Sequence, residues 1–126
     1  MQNVVLVALG SALGGVARFL VTGWVSARIV PTFPWGTFTV NVVGSALIGL
    51  LAGLGDSQRF GLPPEARAFL MIGVLGGFTT FSSFSLETLR LLQDGAWARA
   101  AGNVGGSVLV CMVGVVLGYR LARLWG

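Results

Sequence analysis

The chain has 126 residues, of which 55% are hydrophobic and only 10% charged, with eight arginines, no lysine and four carboxylates for a net charge of +4. Soluble domains carry about 25% charged residues, so this complement cannot cover a water-facing surface, and the composition is that of a membrane protein. With one Cys and no His, the usual zinc, haem and iron–sulfur centres and the histidine-based catalytic sets are excluded, as is a clustered basic patch for nucleic acid.

Four apolar stretches follow one another, each long enough at about 1.5 Å per helical residue to cross a hydrocarbon core. Lipid offers the backbone no partners, so spans of this length must be helices. The first covers residues 4–25; no positive segment precedes it and it exceeds a signal-peptide core, so it reads as a retained helix. Arg18 lies inside it, in Gly14-Gly15-Val16-Ala17-Arg18-Phe19. A lone arginine at that depth costs ~2.5 kcal/mol or more, so it either snorkels to the surface or lines an anion-attracting vestibule.

A joint over 26–34 with two prolines leads to the second span, 35–55, which starts at Trp35, a residue suited to the membrane interface. Asn41 sits near its middle, in Thr37-Phe38-Thr39-Val40-Asn41. It can serve as interhelical glue or as an amide donor to an ion. The next joint, 56–67, has four charges and Pro63-Pro64, which stop one helix and start the next.

The third span, 68–86, is the anomaly. Its middle reads Gly76-Gly77-Phe78-Thr79-Thr80-Phe81-Ser82-Ser83-Phe84-Ser85. Two glycines followed by two threonines make a poor helix interior and predict a central break. Broken helices at membrane depth line cavities or bind ions, freed carbonyls suiting cations and helix N-termini suiting anions. The alternative is a kinked helix whose hydroxyls bond back to their own carbonyls. Phe78, Phe81 and Phe84 form one stripe, Thr79, Ser82 and Ser85 the next, and Thr80, Ser83 and Glu87 a third. Phenyl rings present positive edges that can face an anion without trapping it, although such a stripe also serves plain packing.

A charged joint over 87–99 precedes the fourth span, 100–119. There Asn103, Ser107 and Cys111 share one face, and Cys111 is most simply a small apolar filler. Glycines four apart within spans (10/14, 49/53, 73/77, 102/106 and 114/118) predict close helix approach.

Assigning each arginine to a side of the membrane puts Arg59, Arg67, Arg120 and Arg123 on one side, and Arg18, Arg28, Arg90 and Arg99 on the other. That is no positive-inside bias. The balance fits dual topology, with copies inserted both ways and paired antiparallel, or an orientation set by features this count misses. No carboxylate lies in mid-span, which disfavours a proton-coupled cation exporter. The N–H and O–H donors, aromatic edges and arginines suit a small anion, whose dehydration, on the order of tens of kcal/mol, a donor-lined track would offset.

With these motifs the chain resembles the Fluc (CrcB-type) fluoride channels over essentially its whole length. The resemblance rests on Gly14-Gly15-x-x-Arg18-Phe19, on Gly36-Thr37-x-x-Val40-Asn41-x-x-Gly44, and above all on Gly76 to Ser85 continued by Glu87-Thr88. It implies an all-α, four-span protomer in the bacterial-type inner membrane, acting as an antiparallel dual-topology homodimer with two pores that export fluoride passively. It also implies a structural sodium ion at the dimer centre, held by the backbone carbonyls of Gly76 and Thr79. Phe81 and Phe84 would line the pore, and Asn41 would donate to fluoride. Ser82, Ser83, Asn103 and Ser107 would continue the polar track, with Arg18 near the vestibule and Glu87 at the track's end. Two positions depart from the pattern: Cys111 stands where a hydroxyl is common, and Asn103 where some members have Tyr. Two readings compete with the channel: a small multidrug-type exporter, also of four spans, and a non-transporting bundle subunit whose hydroxyls are helix glue.

Overall fold

A computed structural model describes residues 1–29 and 32–125. Pro31, one of the two prolines of the first joint, lies outside the described residues. The chain folds into α1 (Gln2–Arg28), α2 (Trp35–Gly55), α3 (residues 64–78), α4 (Phe81–Gln93) and α5 (Trp97–Trp125). Four helical segments are long and apolar enough to cross a membrane, α3 and α4 together forming the third, Pro64–Gln93.

Three segments outrun the expected spans. The first, third and fourth are 27, 30 and 29 residues long, because hydropathy marks only the apolar centre while the helix continues into polar flanks. Pro64 sits in the first turn of α3, where its missing N–H costs nothing. Between Arg67 and Leu75 the turns of α3 widen into a π-helix, a feature that the hydropathy pattern does not distinguish from an α-helix.

Packing follows the small residues. α1 lies against α3, and α2 lies against α5 along most of its length. A Cβ at Gly10 or Gly14 would strike the carbonyls of Phe69 or Val74, and one at Gly77 would lie 2.7 Å from the Ser11 carbonyl. On the other side, Gly49 and Gly53 meet the backbone of Val115 and Tyr119, and Gly118 meets that of Ala46. Four of the five glycine pairs therefore seat helices within the protomer. The fifth does not: Gly102 has nothing within 4 Å, and Gly106 reaches only the rim of Phe38 at 4.0 Å.

The joint after α2 is tied by Asp56. Its Oδ2 accepts from Tyr119 at 2.9 Å, its carbonyl accepts from Arg123 at 2.8 Å, and its Oδ1 lies 3.9 Å from Arg67. These links bring the ends of α2 and α5 together with the start of α3. α4 is the least enclosed element, with a few contacts to α5 and α2.

Candidate functional site

The break falls at Thr79 and Thr80. Both are extended, with φ/ψ of −90°/158° and −151°/118°. Gly76 and Gly77, expected to interrupt the helix, remain helical. Gly77 is needed for its closeness to α1, so the glycines serve packing while the threonines carry the bend.

Side chains replace the backbone bonds lost there. Thr80 N–H, which would close a turn onto Gly76, donates to Asn41 Oδ1 at 2.8 Å. Asn41 Nδ2 in turn donates to the Thr80 carbonyl at 3.0 Å. Arg18 Nε donates to the Gly77 carbonyl at 3.0 Å, and Thr80 Oγ1 caps α4 by accepting from Ser83 N–H at 3.2 Å. Such an N-cap is worth about 1 kcal/mol, and a hydrogen bond to a charged group about 1.5–3 kcal/mol. Arg18 is thus fixed inward on the break.

Among the carbonyls left without their usual helical donors are those of Gly76 and Thr79. Thr80 N–H has turned from Gly76 to Asn41, and Ser83 N–H has turned from Thr79 to the Thr80 hydroxyl. Gly76 and Thr79 both line an open groove on the outer face of the protomer. Neutral oxygens of this kind are hard donors suited to a cation such as sodium. Among the described residues no group of three or more His, Cys, Asp or Glu side chains stands close enough to hold a metal ion, so carbonyls are the donor set on offer.

That groove has a volume of about 320 Å³, and its walls include Asn41, Phe81, Phe84, Ser107 and Cys111. Phe84 is 9% exposed while Phe81 is 77% exposed, and their rings are 5.4 Å apart and tilted by 44°. The break divides the expected three-ring stripe: Phe78 remains on α3, leaving Phe81 and Phe84 as a pair on α4.

A second cleft, of about 460 Å³, lies on the other side of Thr80 and holds Arg18, Thr37, Ser83, Glu87 and Arg90. Thr37 Oγ1 donates to Glu87 Oε1. The hydroxyl stripe of Thr80, Ser83 and Glu87 therefore faces this vestibule. Ser82 is exposed, with its hydroxyl 3.3 Å from that of Thr80.

The polar face of α5 is anchored to α4. Asn103 Nδ2 donates to Thr88 Oγ1 at 2.9 Å, and Ser107 Oγ donates to Asn103 Oδ1 at 3.2 Å. Asn103 is 1% exposed and stands behind the groove, whereas Ser107 and Cys111 line it. Thr37, Thr80 and Thr88 thus join the site although none was singled out as a site residue. For Thr80, a threonine able to cap a helix start three residues after Gly77 is the available signal; the other two pairings depend on the fold.

Residues 5–119 match the family model described as CrcB-like protein, Camphor Resistance (CrcB). A protein of Opitutus terrae named fluoride-specific ion channel FluC is 54% identical over 123 residues, 97% of this chain and 93% of that protein. Proteins of the same name from Methylocella silvestris and Paramagnetospirillum magneticum are 52% and 50% identical, over 92% and 98% of this chain and 89% and 98% of their own lengths.

Proposed function

The chain belongs to the CrcB family, and on that premise we propose that it is a fluoride-specific channel that lets fluoride leave the cell passively and so limits its toxicity. The observation that carries this reading is the sequence of donors across membrane depth. Two arginines, hydroxyls and the carboxylates Glu87 and Asp94 line the vestibule, Thr80 stands at the break, and an amide, two phenyl rings and Ser107 line the groove. The spans hold no carboxylate at mid-depth, so an anion meets donors and positive ring edges along the way. Arg18 draws the anion in, the second amide N–H of Asn41 donates to it, and Phe81 and Phe84 flank it beside Ser107. Ser82 and Ser83 continue the hydroxyl lining, with Glu87 at its vestibule end; Asn103 acts by orienting Ser107.

The working unit is an antiparallel homodimer inserted in both orientations. The groove is lined mostly by apolar surface, yet it holds the freed carbonyls of Gly76 and Thr79; facing lipid these stay unsatisfied at a cost of several kcal/mol each, and a second copy covers them. The near balance of arginines supports insertion both ways. Turning Arg18 into the vestibule removes it from the flanking charges and leaves four against three. Sodium fits the carbonyls of Gly76 and Thr79; when bound it supplies positive charge that holds the two breaks together, and it is not transported.

The test is growth of a fluoride-sensitive bacterium that lacks its own exporter. Expression of this chain should restore growth in millimolar fluoride, about as a family channel does. Expressed, membrane-inserted protein that gives no protection would contradict the proposal.

A further inference from the structure

One residue belongs to both compartments. Among the described residues, Thr80 is the sole one common to the walls of the vestibule and of the groove. Its backbone is immobilised by the two Asn41 bonds, so the position of its side chain is fixed between the two spaces. The hydroxyl oxygen is engaged as an acceptor by Ser83 N–H. Its proton has as its one protein neighbour the Ser82 hydroxyl at 3.3 Å, a long contact by the standards of O–H···O bonds. A hydroxyl held by its oxygen, with its hydrogen free to rotate, is a donor that can serve an anion on either side. A fluoride ion passing from the vestibule toward Phe81 must leave the water around Arg18 before it reaches the rings. Between those points a single donor, available from both sides, lowers the cost of that transfer.

Resting on the fluoride-channel reading, we propose that Thr80 is the hand-off donor between vestibule and groove. Its O–H binds fluoride as the ion exchanges its last hydrating waters for the aromatic pair. Its capping oxygen keeps α4 in place through the exchange. The role goes beyond capping, because a cap needs only an acceptor while a hand-off needs a donor.

That difference sets the experiment. Wild type, Thr80→Ser, Thr80→Asn, Thr80→Asp and Thr80→Val are purified, placed in liposomes, and compared for fluoride efflux over a range of fluoride concentrations, with thermal unfolding measured in parallel. Ser and Asn can cap and donate, ionised Asp can cap but not donate, and Val does neither. The expected result is efflux within about threefold of wild type for Ser and Asn, and a fall of about tenfold or more for Asp and Val, the scale of one lost charge-assisted hydrogen bond. The half-saturating fluoride concentration of Asp should rise, and thermal unfolding reports separately what its charge costs the fold. Folded Asp or Val protein conducting as Ser does would overturn the hand-off role and leave Thr80 as a cap. If Val does not fold, the comparison of Ser with Thr80→Gly, which is tolerated at a cap but has no hydroxyl, decides, since Asp also repels the anion by its charge. Wild-type liposomes that retain fluoride would refute the channel reading itself, an outcome distinct from every variant result.

Discussion

Asn41 closes a two-bond ring with the backbone of Thr80, accepting its N–H at 2.8 Å and donating to its carbonyl at 3.0 Å. A carboxamide, with donor and acceptor side by side, can complement the N–H and C=O of one extended residue in this way. The ring lets an extended residue exist at membrane depth, where no water satisfies a freed peptide. It also diverts Thr80 N–H from Gly76. The same contact that stabilises the break therefore frees a carbonyl at it.

Asn41→Leu removes both bonds and leaves the Thr80 N–H unpaired, while its carbonyl keeps the first turn of α4. Unfolding free energy in detergent should fall by ~1–3 kcal/mol, the cost of one unsatisfied group, and fluoride efflux should be lost. Asn41→Asp keeps an acceptor but loses the donor, and should be intermediate in stability. Wild-type stability in the leucine variant would show that the ring does not hold the break.

The division of labour at the break predicts a contrast between glycines. Gly77→Ala places a Cβ 2.7 Å from the Ser11 carbonyl, whereas Gly23→Ala meets nothing within 4 Å. The first should destabilise by ~1–3 kcal/mol through overpacking. The second should be neutral or stabilising by up to about 1 kcal/mol, as alanine is the better helix former. Equal melting temperatures for the two variants would contradict the close α1–α3 seat.

This contrast also shows what was legible in the sequence. Hydropathy located all four crossings, because apolar length is what a bilayer selects. The third span was marked as broken by its crowd of Gly, Thr and Ser, yet the glycines carried two meanings. At Gly76 and Gly77 a loose backbone and a close approach look alike in sequence, and the packing against α1 decides between them. The bend falls two residues later because Asn41, thirty-nine residues away, supplies the bonds Thr80 needs. The Thr37–Glu87 and Asn103–Thr88 pairs were hidden for the same reason. Long-range side-chain partners leave no periodic trace. The short-range stripe of Thr80, Ser83 and Glu87 did, and the three share the vestibule.

The aromatic pair makes its own prediction. Phe81→Ile and Phe84→Ile retain apolar bulk but lose the positive ring edge, a difference of about 0.5–1.5 kcal/mol per contact. Each should slow fluoride efflux several-fold, and the double variant more. Phe84, at 9% exposure, should also lose stability on substitution, whereas Phe81 should not. Unchanged efflux in both single variants and the double would remove the aromatic role.

Sodium dependence tests the freed carbonyls of Gly76 and Thr79. Replacing sodium with N-methylglucamine should lower efflux and loosen the dimer, and tracer sodium should not cross the membrane. Binding that favours the folded dimer raises stability by about 2.7 kcal/mol at a hundred times its dissociation constant, so the melting temperature should climb with sodium. Activity and melting temperature indifferent to complete sodium removal would count against a cation at the break.

The measurement that bears most directly on the whole account is efflux from liposomes holding the purified protein, followed with fluoride and chloride electrodes together in sodium buffer. Rapid loss of fluoride with chloride retained is the predicted result. Retention of both ions by folded protein would contradict the channel, and equal loss of both would contradict the selectivity assigned to the donor-lined path through Thr80.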